Sequence, residues 1–217
     1  MKLFLNEKDY VDYDIVEKED TVQDFLDAIE TFLEENPIPC HICVNNCCTR
    51  GLSVMADNVF IKRISKIRRE TYEEFVRREV EIKKKNLFFL KKKGPACRYL
   101  NKHGRCNIHK DRPIVCHFYI CKNITDRHYL LRSMIIETLG AAATFEFYLK
   151  TQKRRIMNAP TVYKKNPAIF AESYEDIRIL DILDYLVEAN AIDEEKIPQQ
   201  LFEELFIPRN IIKSNTV

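Results

Sequence analysis

Cys40-His-Ile-Cys43-Val-Asn-Asn-Cys47-Cys48 and Cys97-x8-Cys106-x9-Cys116-x4-Cys121 decide how the rest of the chain is read, because together they hold all eight of its cysteines. Four thiols in nine residues, answered by four in twenty-five, form the pattern of a chain that surrounds metal with sulfur. Thiolate is a soft, charged donor that suits iron–sulfur clusters and zinc above the other common cellular metals. Short spacings let Cys40, Cys43 and Cys47 or Cys48 converge on one centre with little ring-closure entropy to overcome. In the second set the ligands are spread over a hairpin and a helix start, so they meet only when that part has folded.

The chain of 217 residues is 46% hydrophobic, enough for a core of its own. It is expected to be one domain: an acidic N-terminal segment and helix (1–39), a cysteine-cluster core (40–124) and a C-terminal helical part (125–217). Met1-Lys-Leu-Phe-Leu runs directly into acidic sequence and has no signal-peptide character, so a cytoplasmic location is expected. The longest apolar tract, Ser133 to Leu149, is broken by Glu137 and Glu146 and is shorter than the ~20 residues a spanning helix needs. It reads as a buried helix, with no membrane insertion. A cytosolic chain of this length has no need of staples, and adjacent Cys47-Cys48 suits metal better than disulfides.

Net charge is only +2, but it is unevenly placed: counting Lys and Arg against Asp and Glu, residues 1–36 carry 3 against 12 and residues 61–112 carry 18 against 6. Either the acidic head and basic middle satisfy each other within the fold, or the basic part meets an acidic partner; the first is the simpler expectation.

Along the chain, residues 1–16 carry alternating apolar pieces expected to form a strand or hairpin. Thr21 to Glu35 reads as a helix capped at Asp20 or Thr21, with Val22, Phe25, Leu26, Ile29, Phe32 and Leu33 on one face and Pro37 and Pro39 as its stop. Ser53 is expected to open a helix carrying Val54, Val59, Phe60, Ile64 and Ile67. Thr71-x-x-Glu74 has the capping-box pattern for another, with Phe75, Val76 and Val80 inward. Lys83 to Lys93 reads as a strand ending at Gly94-Pro95, its expected partner being Cys97 to Leu100, with Asn101 to Gly104 as the following turn. Pro113 is placed to start a short helix presenting Cys116. Thr125 or Asp126 caps a long helix to about Met157, Ser173-x-x-Asp176 opens another to about Asn190, and Asp193 or Pro198 begins a last one through Leu205. Asn210 to Val217 reads as a loose end. The fold class is therefore mainly α, a helical domain with a small β-hairpin at a cysteine-rich metal-binding core.

A zinc ribbon uses two C-x2-C knuckles, and only one exists here. Eight thiolates around two zinc ions would also carry a net charge of about −4 in a small volume, whereas iron–sulfur clusters spread that charge over iron and sulfide. The expectation is one or more iron–sulfur clusters, [4Fe-4S] foremost, with zinc as the alternative. Histidines in cysteine-rich loops more often hydrogen-bond backbone than bind metal; of His41, His103, His109, His117 and His128, only His117 and His41 are carried as candidate ligands. Arg98, Arg105 and Arg112 are expected to offset thiolate charge.

The paired-cysteine block, followed by Cys97-Arg-Tyr-Leu, Gly104-Arg-Cys106-x-Ile-His and Arg112-Pro-x2-Cys116, resembles the YkgJ-like cysteine cluster family, a zinc- or iron-chelating domain that also takes in flagellin lysine N-methylases. The resemblance covers about residues 40–121. It implies that Cys40, Cys43, Cys47, Cys48, Cys97, Cys106, Cys116 and Cys121 are the metal ligands and that Arg112 and Pro113 position Cys116. Two positions depart from the family pattern. The usual first block is C-x2-C-x2-C-C, whereas one more residue separates Cys43 from Cys47, and His117 stands where arginine is common.

The function expected is an iron–sulfur protein acting in electron transfer or metallocentre assembly as a subunit of a larger complex, with protein partners. One alternative is a zinc-stabilised interaction module touching RNA through Lys83 to Lys93, where Phe88, Phe89 and Tyr99 would supply stacking rings; nucleic acid is the less expected partner. The other is a lysine methyltransferase-like enzyme, which the resemblance alone carries. Gly51, Gly94, Gly104 and Gly140 are the only glycines and form no dinucleotide-type loop, and the C-x3-C-x2-C triad of radical enzymes is absent.

Overall fold

A computed structural model describes residues 1–37, 48–49, 52–82, 87–152 and 161–189. Within these residues the chain is mainly α-helical, with three two-stranded antiparallel pairs. Strands β1 (Leu3–Leu5) and β2 (Val11–Tyr13) form the N-terminal hairpin, in register Leu3 to Tyr13. Helix α1 (Val22–Glu35) starts where the sequence places it: Thr21 accepts from the Asp24 N–H while Asp24 accepts from the Thr21 N–H, so two orphan donors are satisfied reciprocally. Its apolar face of Val22, Phe25, Leu26, Ile29 and Phe32 is buried.

Helix α2 (Asn58–Arg68) begins five residues later than Ser53, which is not its cap. Residues 54–56 are drawn into extended pairing instead: Leu90 N–H donates to Val54 C=O, Ala56 N–H donates to Phe88 C=O, and Met55 bridges Phe89. Asp57 takes over the cap, and Ile67 is left exposed rather than on the buried face. Helix α3 (Tyr72–Glu79) carries the expected Thr71–Glu74 capping box and buries Phe75 and Val76. It runs straight into β3 (Val80–Ile82), which pairs with β4 (Phe88–Leu90). That corrects the expected partner of the Phe88 strand. Cys97 to Leu100 does not pair with β4; only β5 (Lys92–Lys93) and β6 (Ala96–Cys97) close a two-residue hairpin across Gly94-Pro95.

The short helix α4 (Ile114–His117) follows Pro113, and α5 (Asp126–Thr151) is capped by Thr125 and ends at Gln152, earlier than Met157. Ser173 and Asp176 do form a capping box, but it closes a 3-10 turn, Tyr174–Asp176, and the helix proper, α6 (Ile179–Glu188), starts after it. The final expected helix and loose end lie outside the described residues.

Two apolar clusters pack on opposite parts of α5. One gathers the hairpin, α1, Leu131, Ile135 and Leu139 of α5, and α6. The other gathers α2, α3, β3, β4 and Tyr99 around Ala143, with Cys97 and Cys106 at its margin. No helix among the described residues is long and apolar enough to cross a membrane.

Candidate metal centre

The main chain joins the two cysteine stretches. Cys97 N–H donates to the Cys48 carbonyl at 2.8 Å, so the last cysteine of the first stretch lies beside the first cysteine of the second along the main chain. From Cys97 the chain folds back to Cys106 through a loop built on Asn101, whose Oδ1 accepts from the N–H groups of His103 (2.9 Å) and Arg105 (3.0 Å). Gly104 supplies the left-handed turn at φ +72°, where a side chain would be strained. Leu100 then bridges Cys106, and Asn107 N–H donates to Tyr99 C=O at 2.8 Å. The loop leaves Cys97 and Cys106 close enough to feel each other's charge. Burial pushes the Cys106 thiol up, the Ile108 N–H lowers it, Cys97 raises it and the Arg112 guanidinium lowers it.

Arg112 is a hub. Its guanidinium lies 2.7 Å from His109 Nε2, and its charge reaches Cys106, His109 and His117. A fixed cation there favours the thiolate, the form that binds metal. Arg98 and Arg105 differ from this expectation. Arg98 is taken by Glu79, Nε to Oε2 at 2.7 Å, and Arg105 is exposed. Glu79 is 4% exposed and also meets Arg68 and Arg78, while Tyr99 donates to it at 3.4 Å. It therefore ties the residues that directly follow Cys97 to the end of α3.

Cys116 is positioned by a residue that the motifs did not single out. Asp57, fully buried, accepts from Phe60 N–H as cap of α2, from Ile114 N–H at 2.8 Å as anchor of α4, and from the Tyr174 hydroxyl at 3.2 Å. Burial raises its pKa, and those three donors oppose the rise. The Asp57-Asn58 pair ahead of an apolar run was the available signal. The second contact, across the fold to the Arg112-Pro113 block, has no local signature.

His117 is 7% exposed, and neither ring nitrogen makes a hydrogen bond of normal geometry. Burial first, then Arg112 and Arg63, push it down to about 3, so it is neutral at physiological pH and its 3.9 Å approach to Glu30 is not an ion pair. His103 and His109 are exposed, and His128 is buried against Tyr13 and Phe25 in the other cluster. Cys121 is exposed and lines an open pocket of about 490 Å³ with Asp9, Tyr119, Lys122 and Arg132, where no other cysteine among the described residues contributes. Cys40, His41, Cys43 and Cys47 lie outside the described residues. Among the described residues no three His, Cys, Asp or Glu side chains are grouped to hold an ion, and Cys48, Cys97, Cys106, Cys116 and Cys121 are thiols and not disulfides.

Residues 39–134 match the model of the family CxxCxxCC, described as "Putative zinc- or iron-chelating domain". This is the cysteine cluster family that the motifs resemble, and the match spans both cysteine stretches and the first part of α5. The segment is thus similar to a family described as chelating zinc or iron, and metal binding is the property that this likeness supports. No curated protein and no solved structure matches the chain significantly.

The donor set fits such metals. Cys97 and Cys106 bring soft sulfur to one half-buried margin, Arg112 adds compensating charge, and Cys48 meets Cys97 through the main chain.

Proposed function

We propose that the chain binds iron as one or more iron–sulfur clusters and works in electron transfer or metallocentre assembly as a subunit of a larger complex. The observation that supports the reading is the Cys97 to Cys48 backbone hydrogen bond, which sets the last cysteine of the first stretch against the first cysteine of the second. Cys40, Cys43, Cys47, Cys48, Cys97, Cys106, Cys116 and Cys121 would hold the metal. When bound, a cluster of the [4Fe-4S] kind would supply one-electron chemistry. Around it the chain's own residues have defined tasks. Arg112 holds positive charge at the thiols, Asp57 fixes the helix that presents Cys116, Glu79 fixes the strand end after Cys97, and neutral His117 lines the same side as a buried ring.

Protein purified without oxygen is expected to be brown, with iron and acid-labile sulfide in equal proportion. Colourless protein with stoichiometric zinc and no iron would replace this reading with a zinc-stabilised interaction module. Cys116→Ser is expected to lower the metal content, and His117→Ala to leave it unchanged.

A further inference from the structure

Among the described residues the acidic head and the Lys and Arg side chains of the basic middle form no ion pair with each other. Among the described residues, the carboxylates of residues 1–36 pair with the N-terminus, Arg127 and Arg178, whereas Arg63, Arg68, Arg78 and Arg98 pair with carboxylates of their own region. Positive charge is therefore left over, and it collects at one end of the molecule. Arg68 and Arg69 end α2, Arg77 and Arg78 end α3, Lys91 donates to the Arg77 and Arg78 carbonyls, Lys92 and Lys93 form β5, and Arg98 follows Cys97. These eight cations share the region with Glu70, Glu73, Glu74, Glu79 and Glu81, the charges of Arg77 and Arg78 reaching Glu74, so three positive charges are in excess.

Cations at helix C-termini are favourable in themselves, and that is the plain structural account of the pattern. Each helix end presents only roughly half a negative charge, however, so α2 and α3 together offset about one of the three excess charges. The remainder faces solvent beside the hairpin that bears Cys97.

We propose that this surface docks an acidic protein, the partner from which or to which the metal centre works. The inference rests on the metal-binding reading for its purpose, and on charge and exposure for its chemistry. A protein is favoured over a nucleic acid by the side chains interleaved with the charge. Of the rings that would have to stack on bases, Phe88 and Tyr99 are 0% and 6% exposed and Phe89 is half-buried. The exposed apolar groups on the same elements are Ile67 of α2, at 58%, and Ile82 of β3, at 54%, which suit the apolar centre of a protein interface with a cationic rim.

The test uses the full chain and two probes, a poly-L-glutamate peptide and a single-stranded oligonucleotide of equal charge, each titrated at low and physiological salt. Carbodiimide then joins bound glutamate carboxylates to lysines. Cross-links concentrated at Lys91, Lys92 and Lys93 are expected, with binding at least tenfold weaker in the triple variant Arg69→Glu, Arg77→Glu, Lys93→Glu. The control variant Lys122→Glu, Lys164→Glu should bind as the parent does. Cross-links spread evenly over the lysines, equal loss in the control variant, or tighter binding of the oligonucleotide would overturn the proposal. Metal content, assayed in the same samples, should be the same in all three proteins. If it is zero throughout while the cross-links still map to this end, the metal reading has failed and the docking surface has not.

Discussion

The two apolar clusters on either part of α5 are held by polar anchors of different kinds. On the N-terminal side Arg127, 4% exposed, lies 3.8 Å over the Tyr13 ring and donates to the carbonyls of Tyr13 and Asp14, while Thr125 donates to Asp12. These bonds close the core on itself. Asp57 and Glu79 instead reach from α2 and α3 to chain that carries thiols, Asp57 to Ile114, which packs in the N-terminal cluster two residues before Cys116, and Glu79 to Arg98 after Cys97. One set of anchors thus closes a core, and the other holds the chain beside the cysteines. Stability and metal binding should separate accordingly when single residues are changed.

Phe25→Ala should have the largest effect on folding. Its ring is fully buried 5.1 Å from Phe118, and deleting it should cost about 3–5 kcal/mol in urea unfolding. The fraction that remains folded should keep its full metal content.

Acid should act next, through His128. Burial, reinforced by Arg132, pushes this imidazole down to about 4 from its ordinary 6.5. The unfolded chain takes up the proton first, so the stability that neutral His128 contributes is complete above pH 6.5 and is lost as pH falls towards 4. The loss should approach roughly 3 kcal/mol, and His128→Phe should flatten the profile across that window. An unchanged slope in the variant would show that the N-terminal core is not the acid-sensitive part.

Asp57→Asn should cost less, about 2 kcal/mol, yet do more to the metal. One oxygen can still accept from Phe60 and Tyr174 and keep α2 capped. The amide NH2 would then face the Ile114 N–H, donor against donor, and release α4 with Cys116. Metal content should fall while far-ultraviolet dichroism changes little. Retention of full metal with the same loss of stability would make Asp57 merely a core residue.

Much of the helical frame was legible in the sequence because its signals are local. The capping residues Thr21, Thr71 and Thr125 each sit where a side-chain oxygen meets an N–H three residues on. Legibility failed where distant chain decides. Residues 54–56 look helical until Phe88 and Leu90 arrive to pair with them, and β4 looks like the partner of the next strand although Val80 to Ile82, already extended at the exit of α3, is available first. Arg98 reads as a cation for thiolate, but Glu79, nineteen residues earlier, claims it. At the candidate site the cysteines and their spacing are visible in the sequence, whereas the contact between Cys48 and Cys97 and the anchoring of the Cys116 helix by Asp57 are products of the fold.

The central claim is that one metal centre needs both cysteine stretches, and Cys97→Ser tests it most directly, since it leaves every thiol of the first stretch in place. Iron, sulfide and zinc per chain should be measured in the parent and the variant, both purified without oxygen. The account predicts iron and sulfide in the parent and loss of most of both in Cys97→Ser, with the helical signal retained. A variant that keeps the parent's full metal complement would contradict it, because the first stretch would then hold the metal without the second.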